Sequence, residues 1–252
     1  MSRRLEPTID EIINTLKRSF IPVILVEGSD DAFIYRYLKN KYDLSEINLQ
    51  VCGSRTRLFE IYKRKEEFLD KRITYIADKD SYRFLPIPEI FNEVVFTKGY
   101  SIENDIYDGA DIENYLDKDD FDNFNKLRQT IANWFAGEVE KLINPNHLGK
   151  TFEVSSHIDQ IVPKGTSVIC PKYKLGKECI EPSQKTLDNV LEDYDLNIRG
   201  KQLFQMLSRF TSKKGRFSRF DHKNLVEIAL KLEGNTNLEE LMTQVKLKLN
   251  SN

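Results

Sequence analysis

Glu27, Asp31, Asp78 and Asp80 stand where short apolar runs end. VILVEGSDD places Glu27 directly after the run and Asp31 four residues further on, and ITYIADKD sets Asp78 and Asp80 two apart. If the backbone stays extended through 78–80, both side chains point to one side. Carboxylates crowded in this way repel, each disfavouring ionisation of the next, and a divalent cation relieves that penalty. The donors are all oxygens, with no His or Cys in either motif, so the metal expected is Mg²⁺ or Mn²⁺ rather than Zn²⁺. With 40 acids in 252 residues, acid-x-acid spacing recurs by chance, so DKD alone carries little. A Glu after a strand is equally weak, and Ser29 or Asp30 could simply cap a helix. Position adds weight, because both clusters end apolar β runs and a Gly follows Glu27.

The elements that must hold these residues follow from periodicity. TIDEIINTLKR spaces Ile9, Ile12, Ile13 and Leu16 on one face behind a Thr8 N-cap, which predicts a lead-in helix over 8–18. A buried strand is expected at 21–27, followed by a helix in DAFIYRYLKNKY, a strand in INLQVC and a helix in TRLFEIYKRKEEFL. A third strand in RITYIAD and a fourth in VVFTK complete the pattern. Strands separated by helical stretches indicate βαβ crossovers, hence an α/β fold with a parallel sheet flanked by helices. In such sheets ligands gather at the carboxyl ends of the strands, where Glu27 and Asp78 lie. Beyond a boundary expected near 118, a mainly helical unit over 119–252 is predicted. It comprises a long amphipathic helix in DNFNKLRQTIANWFAGEVEKLI, an irregular 154–182 with a hairpin around SVICPKYKLGKECIEP, and helices at 185–193, 201–210 and 223–232. The last is expected to continue into LEELMTQVKLKL.

Composition limits the function classes. With 40% hydrophobic and 31% charged residues, the chain reads as soluble and globular, and it has no apolar stretch of about 18 residues. MSRRLEPTIDEII lacks the apolar centre of a signal peptide, so a cytoplasmic location is expected. Three cysteines at wide spacing argue against a disulfide framework. A net charge of −2 gives no global attraction to nucleic acid, so local patches matter.

VILVEGSDDAFIYRYL, VCGSRTRLFEIY and ITYIADKDSY, in that order over about 20–100, resemble a Toprim domain. The elements are a strand ending in Glu-Gly, a strand ending in a Gly turn and a strand ending in Asp-x-Asp. GYSIEND and IRGKQLFQML narrow the resemblance to Toprim nucleases of the overcoming-lysogenization-defect type, including the nuclease effector of the PARIS anti-phage system. The resemblance implies catalytic roles for Glu27, Asp78 and Asp80, and a metal-ligand set of Glu27, Asp31, Asp78, Asp80 and Glu103. IEN recurs in DIENYL, so Glu113 is an alternative to Glu103. Arg55, in Gly53-Ser54-Arg55, matches a position where relatives often carry Lys and could contact a phosphate. The implied activity is phosphodiester cleavage in tRNA or DNA, with one or two metal ions activating water and stabilising the leaving oxygen. The relatives are controlled by an ABC-type ATPase. This chain has no G-x-x-x-x-G-K-[ST] loop, so a separate ATPase is the expected partner, with a homodimer as the active form. Two alternatives are a degenerate Toprim module that binds without cutting and a phosphotransfer enzyme acting on nucleotides.

Residues 198–220 hold seven Lys or Arg and no acid, with Phe204, Phe210, Phe217 and Phe220 interleaved. For the rings a helix core is the better reading. For KKGRFSR, nucleic-acid contact is expected through Lys213, Lys214, Arg216 and Arg219. Residues 101–123 invert the balance, with nine acids and one Lys, and read as a solvated face or a surface for a basic partner. Cys170, Cys179, His147 and His157 are spaced poorly for structural zinc. Cys52 and Trp134 read as core residues. A metal-based mechanism does not require His222.

Overall fold

The computed structural model describes residues 6–147 and 149–251. The chain forms two compact units. The first comprises the residues up to Asp78, then Ile87–Thr97, then those from Thr236 on; the second comprises Lys79–Pro86 and Lys98–Asn235. The expected boundary near 118 does not coincide with this division. The last helix returns to the sheet, and periodicity cannot encode such a return.

In the first unit, α1 (Ile9–Arg18) starts at Thr8, whose side chain accepts from the Glu11 N–H while the Glu11 carboxylate accepts from the Thr8 N–H at 2.7 Å. Such a reciprocal cap stabilises a helix start by about 1 kcal/mol. There follow β1 (Val23–Val26), α2 (Ala32–Lys41), β2 (Asn48–Val51), α3 (Arg55–Lys63), β3 (Ile73–Ala77) and β4 (Val95–Phe96). The four strands form one sheet in the order β2-β1-β3-β4, all pairs parallel. Side chains alternate across a strand. Val23, Leu25, Ile73, Tyr75 and Ala77 therefore pack with Ile12, Ile13 and Leu16 of α1 and Leu58, Ile61 and Tyr62 of α3. Ile24, Val26, Thr74 and Ile76 are left to the opposite face. Cover on both faces explains why β1 and β3 are buried throughout.

The second unit is helical: α4 (Ile102–Asp108), α5 (Phe121–Ile143), α6 (Ile158–Ile161), α7 (Pro171–Gly176), α8 (Gln184–Glu192), α9 (Tyr194–Asn197), α10 (Gly200–Thr211) and α11 (His222–Lys231). α4 packs against α9, α10 and α11, and α5 against α8 and α10. Gly200 allows the closest of these approaches, since a Cβ there would stand 2.7 Å from the Asn104 nitrogen and from Cβ of Glu103. The hairpin expected around 167–182 is absent among the described residues. Pro171 instead begins α7, a position where its missing N–H costs nothing. Nor does the helix at 223–232 run on. It stops at Lys231, Gly234 takes φ 78°, and α12 (Thr236–Ser251) starts afresh and packs on β3, β4 and α2 of the first unit. Among the described residues no helix is long and apolar enough to cross a membrane.

Candidate active site

The carboxyl edge of the sheet collects the residues expected there. Val26 pairs in register with Val51 on one side and Ile76 on the other, so the turns after β1, β2 and β3 emerge together. Glu27 sits at the centre. Its backbone carbonyl accepts from the Gly53 N–H at 2.8 Å, and its Oε1 accepts from the Asp78 N–H at 3.0 Å. A backbone N–H donated to a carboxylate is a charge-assisted bond, and it fixes the side chain's direction. Asp31 precedes α2 in the N-cap position but makes no side-chain cap bond there. Its Oδ2 lies 3.6 Å from where a Cβ on Gly28 would stand, an ordinary van der Waals distance, so the Asp31 carboxylate packs beside Gly28 without requiring a glycine there.

The turn after β2 is held differently. Gly53 adopts φ 99°, the left-handed region that favours glycine, and a Cβ there would also press on the Glu6 carboxylate at 2.9 Å. Ser54 then caps α3, its hydroxyl accepting from the Arg57 N–H. Arg55 is the first residue of that helix, its guanidinium 5.2 Å from the Phe59 ring centre. Cys52, between β2 and this turn, is buried, and burial pushes its thiol up to about 12, so it is an inert core residue as its sequence context suggested.

Glu27, Asp31 and Asp78 thus come off adjacent strand ends of one unit, and an all-oxygen set of this kind suits Mg²⁺ or Mn²⁺. Among the described residues no group of three or more His, Cys, Asp or Glu stands close enough to hold a metal ion, so the acids share an edge without forming a closed shell.

Asp80 departs from the extended geometry considered for 78–80. Lys79 is α-helical in conformation (φ −66°, ψ −38°) and Asp80 takes φ 46°, with its N–H donating to the Tyr100 carbonyl at 2.7 Å. The argument that an i, i+2 pair shares one side of an extended chain therefore does not apply. A non-glycine residue at positive φ is uncommon, and residues held in sparse regions concentrate at functional sites. Lys79 lies beside it with its ammonium pKa lowered by burial and by the Arg83 and Lys98 charges.

The two candidates for the later acid differ in surroundings. Glu103 is buried in α4, where Oε2 accepts from the Ser101 hydroxyl at 2.7 Å and Oε1 lies 3.6 Å from the Lys201 ammonium. Glu113 accepts from the Tyr107 hydroxyl at 2.8 Å and from the Tyr194 hydroxyl, with Arg128 at 3.9 Å, so it ties three side chains together. Sequence reasoning missed Asp105. It is fully buried, its two oxygens accept from the N–H groups of Lys98 and Gly99, and burial raises its pKa to about 6. The S-x-x-N cap in SIEND is legible as a helix start, but nothing local marks Asp105 as the anchor of the preceding loop.

The basic loop is partly engaged within its own unit. Lys213 donates to both oxygens of Asp120, at 2.8 and 2.6 Å, and Arg216 to Asp117 and the Tyr115 carbonyl. Lys214 and Arg219 are exposed, as is Phe217, while Phe204 is fully buried. The acidic segment is thus no uniform solvated face, since two of its aspartates partner this loop. Trp134 is buried, as expected.

No family model matches the chain, and no curated protein matches it at a significant level. The functional reading therefore rests on the carboxylate edge and its neighbours.

Proposed function

We propose that the protein is a Mg²⁺- or Mn²⁺-dependent nuclease of the Toprim type that cleaves phosphodiester bonds in tRNA or DNA. The observation that carries this reading is the bond from the Asp78 N–H to Glu27 Oε1, which ties the ends of two adjacent parallel strands and aims one carboxylate along the sheet edge. By the resemblance the metal's ligands would come from Glu27, Asp31, Asp78, Asp80 and Glu103, which as they stand do not close a metal shell. Bound there, the metal supplies charge neutralisation at the phosphate and a more acidic water. The chain's own residues supply position. Glu27 is oriented by the Asp78 N–H, Asp31 stands at the start of α2, and Arg55 at the start of α3 offers a guanidinium to a phosphate oxygen. By the same resemblance the protein is a toxic effector of anti-phage defence in the cytoplasm, restrained by a separate ABC-type ATPase and active as a homodimer.

Incubation with total RNA and with plasmid DNA, each with Mg²⁺ and Mn²⁺, tests the reading. Cleavage should be abolished by a chelator and by Glu27→Ala or Asp80→Ala, with circular dichroism confirming that both variants fold. Equal cleavage by wild type and both variants, or none by any, refutes it.

A further inference from the structure

Within the second unit a cavity of about 450 Å³ opens between α5, the end of α10 and the loop that follows α6. That is a size typical of small-molecule sites. Its lining includes Lys164, Thr166, Ser167, Arg209, Phe210 and Lys213, and no acid among the described residues. The acids that hold these cations stand outside the lining. Asp159 receives Arg209 Nε at 3.0 Å and Lys164 Nζ at 3.5 Å, and Asp120 receives Lys213. Three cations against two carboxylates leave positive charge, and the acids fix the cations' places without closing the cavity.

Arg209 is the most constrained of the three. Its side chain is 9% exposed, and its guanidinium also donates to the Val162 carbonyl. Its five N–H donors are not used up by these two partners. The loop over it is a tight turn: the Thr166 N–H donates to the Pro163 carbonyl at 3.1 Å, and Gly165 takes φ 78° with nothing within 4 Å of its Cβ position. Glycine is thus required by conformation rather than by crowding; the Thr166 hydroxyl donates back to the Pro163 carbonyl at 2.9 Å, which leaves Ser167 as the hydroxyl residue beside the cations. Phe210 and Leu127 supply an apolar wall.

We infer that this cavity binds a nucleotide, its phosphate toward Lys164, Arg209 and Lys213 and its base toward Phe210. Cations suit a phosphate, and a ring suits the face of any base. The site stands whether or not the sheet edge cleaves. The nucleotide could be free or one unit of a polynucleotide, and the two sources are separable.

Calorimetry on the full chain in metal-free buffer, at constant ionic strength, with AMP, inorganic phosphate and a short single-stranded oligonucleotide as probes, tests the inference. Saturable binding of AMP or of the oligonucleotide is expected, tighter than that of phosphate. It should weaken at least tenfold in Lys164→Glu, whose exposed side chain makes folding a minor concern, and persist in Glu27→Gln. Binding of AMP identifies a free-nucleotide site, and binding of the oligonucleotide alone a polynucleotide contact. No binding by either, binding no tighter than phosphate, binding indifferent to Lys164→Glu, or binding lost in Glu27→Gln overturns the assignment.

Discussion

At the scale of single residues, charge environment makes the sharpest claims. Asp195 has its pKa raised to about 6, by burial first and then by a hydrogen bond with, and the charge of, Asp108. A folded-state pKa above the ordinary 3.8 means that the folded chain holds the proton more tightly. The stability contributed by that proton is present below about pH 4 and lost as pH rises through about 6. Asp105 acts in the same window and the same direction. Asp195→Asn should therefore stabilise the protein at pH 7.5 by about 1 kcal/mol, after allowance for solvent at a half-exposed site, and leave it nearly unchanged at pH 4. Urea melts at both values check this, and equal effects at both would contradict it. None of this was legible in sequence. Asp108 and Asp195 lie far apart along the chain, and reading a charge run locally makes each a solvated acid. Glu27 and Asp78 were legible, because an acid ending an apolar run needs only strand direction to be placed.

At the scale of elements, the signals that worked were those whose cause is local. Thr8 wrote the start of α1, and the apolar runs wrote β1 and β3. Failures came where a neighbour decided. The hairpin expected around SVICPKYKLGKECIEP gives way to α7, which Pro171 begins, and Gly234 ends a pattern whose apolar spacing looked continuous. Gly200 is the clearest case. At the first position of a helix, alanine is ordinarily no worse than glycine. Here the added methyl would meet the backbone of α4, so Gly200→Ala should destabilise by about 1–3 kcal/mol. A thermal melt decides the sign, and an unchanged or raised midpoint would mean that α4 and α10 do not approach as closely as described.

At the scale of the whole molecule, the sheet unit is completed by α12, which follows the entire helical unit in sequence. Leu241 and Val245 of that helix are buried, and the Leu249 carbonyl accepts from Arg72 just ahead of β3. Leu241→Ala should cost about 2–5 kcal/mol. Hydrogen exchange should then show faster exchange of the β3 amides while α5 and α10 keep their protection. Uniform loss across both units would contradict the division. The α/β class with a parallel sheet was readable from alternating elements. The assignment of α12 was not, since an amphipathic helix does not record which surface it covers.

The return of α12 also sets an order in time. A ribosome adding about 5–20 residues per second needs roughly 7–28 seconds to pass from Lys98 to Asn235. Throughout that interval β1 and β3 already exist, with part of the face that α12 will cover still bare. The nascent sheet is thus left waiting for its last helix, and a chaperone that shields apolar surface during synthesis would meet this chain first along β3 and β4, where α12 will pack.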